Sequence, residues 1–109
     1  MKIGIIRCRQ TEDMCAGNAC FKAAKEDAGA FQGMETVEIV GFISCGGCPG
    51  KRAVMRAKRM VEQGAQIIMQ SSCITKGTPI GFPCPFAEEM REAIHRRIGE
   101  NVEILTYSH

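Results

Sequence analysis

Seven cysteines in 109 residues are the chemistry this chain carries. At about 6% they exceed ordinary usage, yet fall short of the ~8–10% of a disulfide scaffold. The count is odd, so at least one thiol has no partner within the chain. The opening Met1-Lys2-Ile3-Gly4-Ile5-Ile6-Arg7 is too short and too soon interrupted for a secretory signal. A cytoplasmic, reducing compartment is therefore expected. There, metal ligation, an iron–sulfur cluster or redox chemistry outrank structural disulfides.

The densest motif is Cys45-Gly46-Gly47-Cys48. A C-x-x-C spacing lets two sulfurs face one metal, and glycine relieves crowding as the loop wraps. The same spacing suits a redox dithiol beside a helix N-terminus, whose dipole favours negative charge on sulfur. Proline follows both Cys48 and Cys84, as it does next to many cluster ligands and at many helix starts. Cys15-Ala16-Gly17-Asn18-Ala19-Cys20 invites comparison with the C-x-x-x-x-x-R phosphate loop of low-molecular-weight phosphatases and arsenate reductases. Phe21 stands where that loop has its arginine. Without the guanidinium a transferring phosphoryl group loses its bidentate partner, so phosphatase chemistry is not expected. The Gly-Asn pair reads instead as a turn, with Asn18 as a helix N-cap.

The elements that must position these thiols follow from hydrophobic periodicity. Short runs rich in Ile and Val predict strands at 2–7, 36–43, 65–70 and 101–106. Between them lie predicted helices. One starts at Asn18 and runs to about Ala28, with Phe21, Ala24 and Ala28 inward. A second spans Pro49 to Gln63, with Ala53, Val54, Ala57, Met60 and Val61 on one face and Pro49 in its first turn. A third spans Pro85 to about Ile98, with Phe86, Met90, Ala93, Ile94 and Ile98 inward. Alternating βαβαβαβ implies an α/β fold with helices on both faces of a parallel sheet. Right-handed crossovers point to a small three-layer, flavodoxin-like (Rossmann-like) sandwich with strand order 2-1-3-4.

On this frame every cysteine falls in a strand-to-helix connection or the first turn of the helix that follows. Cys8 follows the first strand, Cys45 and Cys48 the second, and Cys73 the third. Cys15, Cys20 and Cys84 lie in the same class of connection. In a parallel sheet these connections share the carboxyl edge, where open α/β sheets place ligands. Neighbouring strands are about 4.8 Å apart, so loops from several strands can converge on one ion or cluster. Any one cysteine is a good small core residue. Seven at one edge are a functional pattern.

The remaining composition narrows the class. A length near 100 suits one domain, here 1–109, with a radius of gyration of roughly 13 Å. At 45% hydrophobic and 24% charged the chain reads as globular. No apolar run approaches the ~20 residues of a membrane span. A net charge of +2 makes no electrostatic case for nucleic acid. Lys51, Arg52, Arg56, Lys58 and Arg59 read as a solvated helix face. His95 reads as surface, and the scattered methionines as core filling rather than a copper site.

From Phe42-Ile43-Ser44-Cys45-Gly46-Gly47-Cys48-Pro49-Gly50-Lys51 outward, the chain resembles the CGGC domain family, small cysteine-rich proteins frequent in anaerobic bacteria and archaea. The likeness takes in Lys2-Ile3-Gly4-Ile5-Ile6-Arg7-Cys8, the Cys15 to Cys20 segment, Gly29-Ala30-Phe31, Ser71-Ser72-Cys73-Ile74 and Cys84-Pro85-Phe86. The resemblance implies metal binding, with zinc suggested by the family's cysteines and histidines. Relatives often carry a histidine just before Ser-Ser-Cys, where this chain has Met69 and Gln70. Histidine remains only at His95 and His109, which shifts weight to an all-thiolate site.

The expectation is a zinc ion or iron–sulfur cluster at the carboxyl edge. Cys8, Cys45, Cys48 and Cys73 are its inner ligands, and Cys15, Cys20 and Cys84 are alternates or a second set. Seven thiols exceed the four of one tetrahedral zinc. One alternative is a thiol–disulfide redox protein in which Cys45 attacks and Cys48 or Cys73 resolves. Another is a metal or cluster carrier. Expected partners are the metal or cluster, a redox or acceptor protein, and a second copy bridged by edge thiolates as a homodimer.

Overall fold

The protein's structure is a computed structural model that describes residues 1–34 and 36–109. Four strands form the frame: β1 (Lys2–Arg7), β2 (Glu38–Ser44), β3 (Ile67–Gln70) and β4 (Glu103–Leu105). All pairings are parallel and the spatial order is β2-β1-β3-β4. This is the order the alternating pattern predicts. The parallel sheet with its interspersed helices is consistent with a flavodoxin-like arrangement.

The helices are α1 (Asn18–Lys25), α2 (Lys51–Glu62), α3 (Ser72–Thr75) and α4 (Ala87–Ile98). Short 3-10 turns sit at Arg9–Thr11 and Gly29–Phe31. The two faces of the sheet are covered by different helices. On one, Ile6 and Ile68 pack with Ala53, Ala57 and Met60 of α2 and Met90 and Ile94 of α4. On the other, Ile3, Ile5, Ile67 and Met69 pack with Ala23 of α1 and with Phe31. The split follows from the strand period of two, which sends successive side chains to opposite faces. Met60 bridges β1 and β2 because both offer glycine beneath it. A Cβ on Gly4 would lie 2.7 Å from Met60 Sδ, and one on Gly41 2.5 Å. The radius of gyration is 12.5 Å, close to the expected value.

Three local expectations are corrected. Asn18 is not the N-cap of α1. That position is Gly17, at φ +87°, a conformation that favours glycine, and a Cβ there would also meet Phe42 at 2.8 Å. The buried face of α1 is set by Cys20 and Ala23 rather than by Phe21, which is exposed and lies against Phe42, ring centroids 4.9 Å apart. Pro49 does not sit in the first turn of α2. It precedes the N-cap, Gly50, and follows a cis Cys48–Pro49 bond. The strands after the first, and α1, α2 and α4, are also shorter than their periodic runs, as frayed ends usually are.

Candidate thiol site

The first three strands each end by delivering sulfur. Cys8 directly follows β1 and Cys45 directly follows β2, where its N–H donates to Arg7 O at 2.8 Å. Cys73 lies in α3, one turn beyond β3. Cys15 occupies the β1–α1 connection, Cys20 the third residue of α1, Cys48 the approach to α2, and Cys84 the approach to α4. Six thus lie in strand-to-helix connections or in the helical turns that begin there, while Cys84 lies between α3 and α4 because the unpredicted short helix α3 interrupts the path from β3 to α4. All seven are free thiols.

The thiols form a row with two ends. Cys8 and Cys45 are 8% and 5% exposed and belong to the α2/α4 side of the core, with Cys73 and Cys84 packed against it. Cys48 is exposed beside them. Cys20, 6% exposed, lies on the α1 side with Cys15. Cys73 joins the two ends. Its Sγ accepts the Cys8 N–H at 3.1 Å and contacts Ser71 Oγ at 2.8 Å. Among the described residues, no three Cys, His, Asp or Glu side chains are gathered closely enough to hold one ion.

Burial and mutual proximity act on the protons of these thiols. Burial pushes the Cys8 thiol up, and the charges of Cys73 and Cys45 add to that against backbone hydrogen bonding from Gln10. Burial likewise raises Cys20, offset in part by its hydrogen bond with Ser108 and by the Arg7 charge. Cys84 is raised by burial first, with Cys48 and Cys45 adding repulsion. These couplings link neighbours along the row.

The loops are tied down from below. Arg56 of α2 donates to Ser44 O at 2.9 Å and to Ser44 Oγ at 3.0 Å, holding the base of the Cys45–Cys48 loop. Gly46 and Gly47 adopt φ of +84° and +105°, so this loop depends on glycine. Lys51 and Arg52 are exposed in the first turn of α2. His95 is exposed on α4, as expected for a surface residue.

His109 reaches the same edge. Ser72 Oγ donates to His109 O at 2.9 Å and accepts the N–H groups of Ser108 and His109, each at 3.1 Å. Ser108 Oγ in turn lies 3.2 Å from Cys20 Sγ. Ser72→Ala leaves two buried or half-buried N–H groups without that acceptor, at about 1–3 kcal/mol. We expect faster hydrogen exchange at the Ser108 and His109 amides and a lower urea midpoint. Unchanged values for both would show that Ser72 does not hold the tail.

Beside the α1 end of the row is a cavity of about 310 Å³. Its walls include Arg7, Cys15, Cys20, Phe42, Cys73 and Pro79. Arg7 donates from Nη2 to Cys15 O, and its guanidinium lies 5.5 Å from the Phe42 ring centre. Sequence reasoning found no cation for the Cys15–Cys20 segment because Phe21 holds the arginine position. The fold supplies one from the end of β1. Ser71, Ser72 and Ser108, all buried, were missed as well. Arg7, immediately before a cysteine at a predicted strand end, was the available signal.

The comparisons with known proteins agree with the residues. The CGGC domain family matches residues 2–109. The uncharacterized protein MJ0582 of Methanocaldococcus jannaschii is 37% identical over 110 residues, covering 95% of this chain and 81% of that protein. The uncharacterized protein MJ0766 of the same organism is 34% identical over 55 residues, covering 50% of this chain and 79% of that protein. No solved structure matches the chain significantly.

Proposed function

Because the chain belongs to the CGGC domain family, we propose that it is a metal-binding protein holding zinc or an iron–sulfur cluster through thiolates at the carboxyl edge. The observation that supports this reading is that Cys8, Cys45, Cys73 and Cys84 share one side of the core, with Cys48 in the loop that follows Cys45. The ligands come from these five. They include the Cys8, Cys45, Cys48 and Cys73 set the spacing suggests, with Cys84 as a fifth. Cys15 and Cys20 stand apart on the α1 side.

The donor set fits the group. Zinc and iron–sulfur clusters both accept four thiolates. Histidine contributes nothing on this side, since His95 is exposed on α4 and His109 lines the cavity by α1. Binding would draw the thiols closer together than they stand here. When bound, zinc would supply a structural or Lewis-acid centre, and a cluster would supply electron transfer or sensing. Lys51 and Arg52 would offset the negative charge of a thiolate cluster. Free thiols in every position suit a reducing cytoplasm.

The redox reading keeps one observation in its favour: Cys48 is exposed while its C-x-x-C neighbour is buried. In that reading Cys48, not Cys45, is the accessible attacking sulfur. A carrier role would share the metal ligands and differ in lability.

Purification without oxygen, followed by elemental mass spectrometry and an absorption spectrum of the same sample, tests the proposal. Stoichiometric zinc with no colour, or iron and sulfide with a broad visible band, is the expected outcome. A protein with no metal and seven titratable thiols would overturn it in favour of the redox reading.

A further inference from the structure

We infer that the cavity beside α1 is a binding site for a small organic carboxylate, with Arg7 as its charge partner. The inference goes beyond the metal reading, with which it shares Cys73 in the cavity wall, and rests on the other end of the thiol row.

The first argument is the state of Arg7. Its guanidinium is partly buried, stacked near Phe42, and donates one hydrogen bond to a carbonyl oxygen. Its Nε–H is buried and has no partner among the described residues. Among the described residues no acidic side chain pairs with Arg7 either. The ion pair found among the described residues joins Arg91 and Glu88 of α4. A partly buried guanidinium in a cavity wall, with no carboxylate beside it among the described residues, is costly unless an anion meets its accessible edge. Arginine meets carboxylates well because its donors match their geometry.

The second argument is position. The chain leaves β1 for β2 on one side of the sheet, then crosses back to β3 on the other. The switch point therefore lies between β1 and β3. Arg7 ends β1, and Ser71 and Cys73 follow β3, and all three line the cavity. Open α/β sheets bind ligands in the crevice outside the carboxyl ends at such a point.

The third argument is size and lining. About 310 Å³ lies at the small end of the range for ligand pockets. An inorganic oxyanion would leave most of it unfilled. Met14, Phe42 and Pro79 make much of the wall apolar. A ligand with a carboxylate for Arg7 and an apolar body for these residues fits both features. The N–H groups of the first turn of α1 add a weaker positive field at the same wall.

Cys15 lines the cavity and reports on it. Its thiolate displaces iodide from iodoacetate or from iodoacetamide, forming a C–S bond and releasing I⁻. The two reagents differ in charge, so their rate ratio measures attraction for a carboxylate. In the protein as purified, mass spectrometry resolves labelling at each cysteine. The expected iodoacetate-to-iodoacetamide ratio at Cys15 exceeds that of N-acetylcysteine amide by about tenfold, the effect of one charge-assisted contact. In Arg7→Gln it falls to the free-thiol ratio. Benzoate slows labelling of Cys15, and inorganic phosphate at the same concentration does not. A wild-type ratio equal to the free thiol, or an excess that survives Arg7→Gln, overturns the inference. So does equal protection by phosphate, which would mean a site for small inorganic anions. Should Arg7→Gln fail to fold, the wild-type ratio and the benzoate protection still decide.

Discussion

Serine at both Cys45 and Cys48 is expected to strip the chain of its metal. The wild type should carry about one zinc or one cluster per chain, and the double variant less than about a tenth of that. The size of the effect follows from ligand count. Thiolate zinc sites in small domains are worth about 10–16 kcal/mol, so losing two of four ligands removes on the order of 5 kcal/mol or more. That exceeds three decades in affinity. Metal per chain after gel filtration is the readout, with far-UV circular dichroism to show that the fold persists. Cys48 is exposed, so Cys48→Ser alone spares the core and gives a second reading if the double variant does not fold. Cys15→Ser should keep its metal, because Cys15 lies on the α1 side. Stoichiometric metal in the Cys45/Cys48 double variant would remove this motif from the site.

The metal-free, reduced protein is expected to lose stability as pH rises above about 9. Burial raises the thiols of Cys8 and Cys20 above their ordinary value of 9.0. In the unfolded chain these groups lose their protons near that ordinary value, while in the folded chain they keep them. The native state then binds more protons than the unfolded state, and the stability of folding falls with pH. Their contribution is fully present below pH 9.0 and is lost as pH climbs through the raised values. Each such thiol contributes a slope of up to about 1.4 kcal/mol per pH unit, so the pair contributes up to about 2.7. Cys84, raised for the same first reason, adds to the trend. Urea midpoints between pH 8 and pH 10 in the presence of a chelator and a phosphine reductant measure it. Cys20→Ala should shrink the slope by roughly one thiol's share. A midpoint that does not move over that range would mean the buried thiols ionise as freely in the folded protein as in the unfolded chain.

Repeating runs of Ile and Val, bounded by glycine and polar residues, were enough to read four strands and their alternation with helices. From that alternation alone came the parallel sheet, its 2-1-3-4 order and the carboxyl-edge placement of seven cysteines. Such features are local or combinatorial. Periodicity reports which face is buried, and the handedness of crossovers leaves few topologies. The cap of α1 was misread because Asn18 is a good N-cap by type. Gly17 won the position, since the backbone there is left-handed and Phe42 leaves no space for a Cβ. The entry to α2 was misread because proline suits a first turn by type, whereas here the glycine after it begins the helix.

What only the tertiary structure decided is how the edge is divided. Spacing placed seven thiols on one rim without saying which face each would join. Packing put Cys8 and Cys45 with α2 and α4, set Cys15 and Cys20 with α1, and left Cys73 between them. Arg7 is eight residues from Cys15 and 35 from Phe42 along the chain, so no local pattern announces that the three share a cavity wall. Nor does one announce that Ser72 holds Ser108 and His109. Side chains distant in sequence meet only when the sheet closes, and that meeting gives the arginine its place beside the thiols.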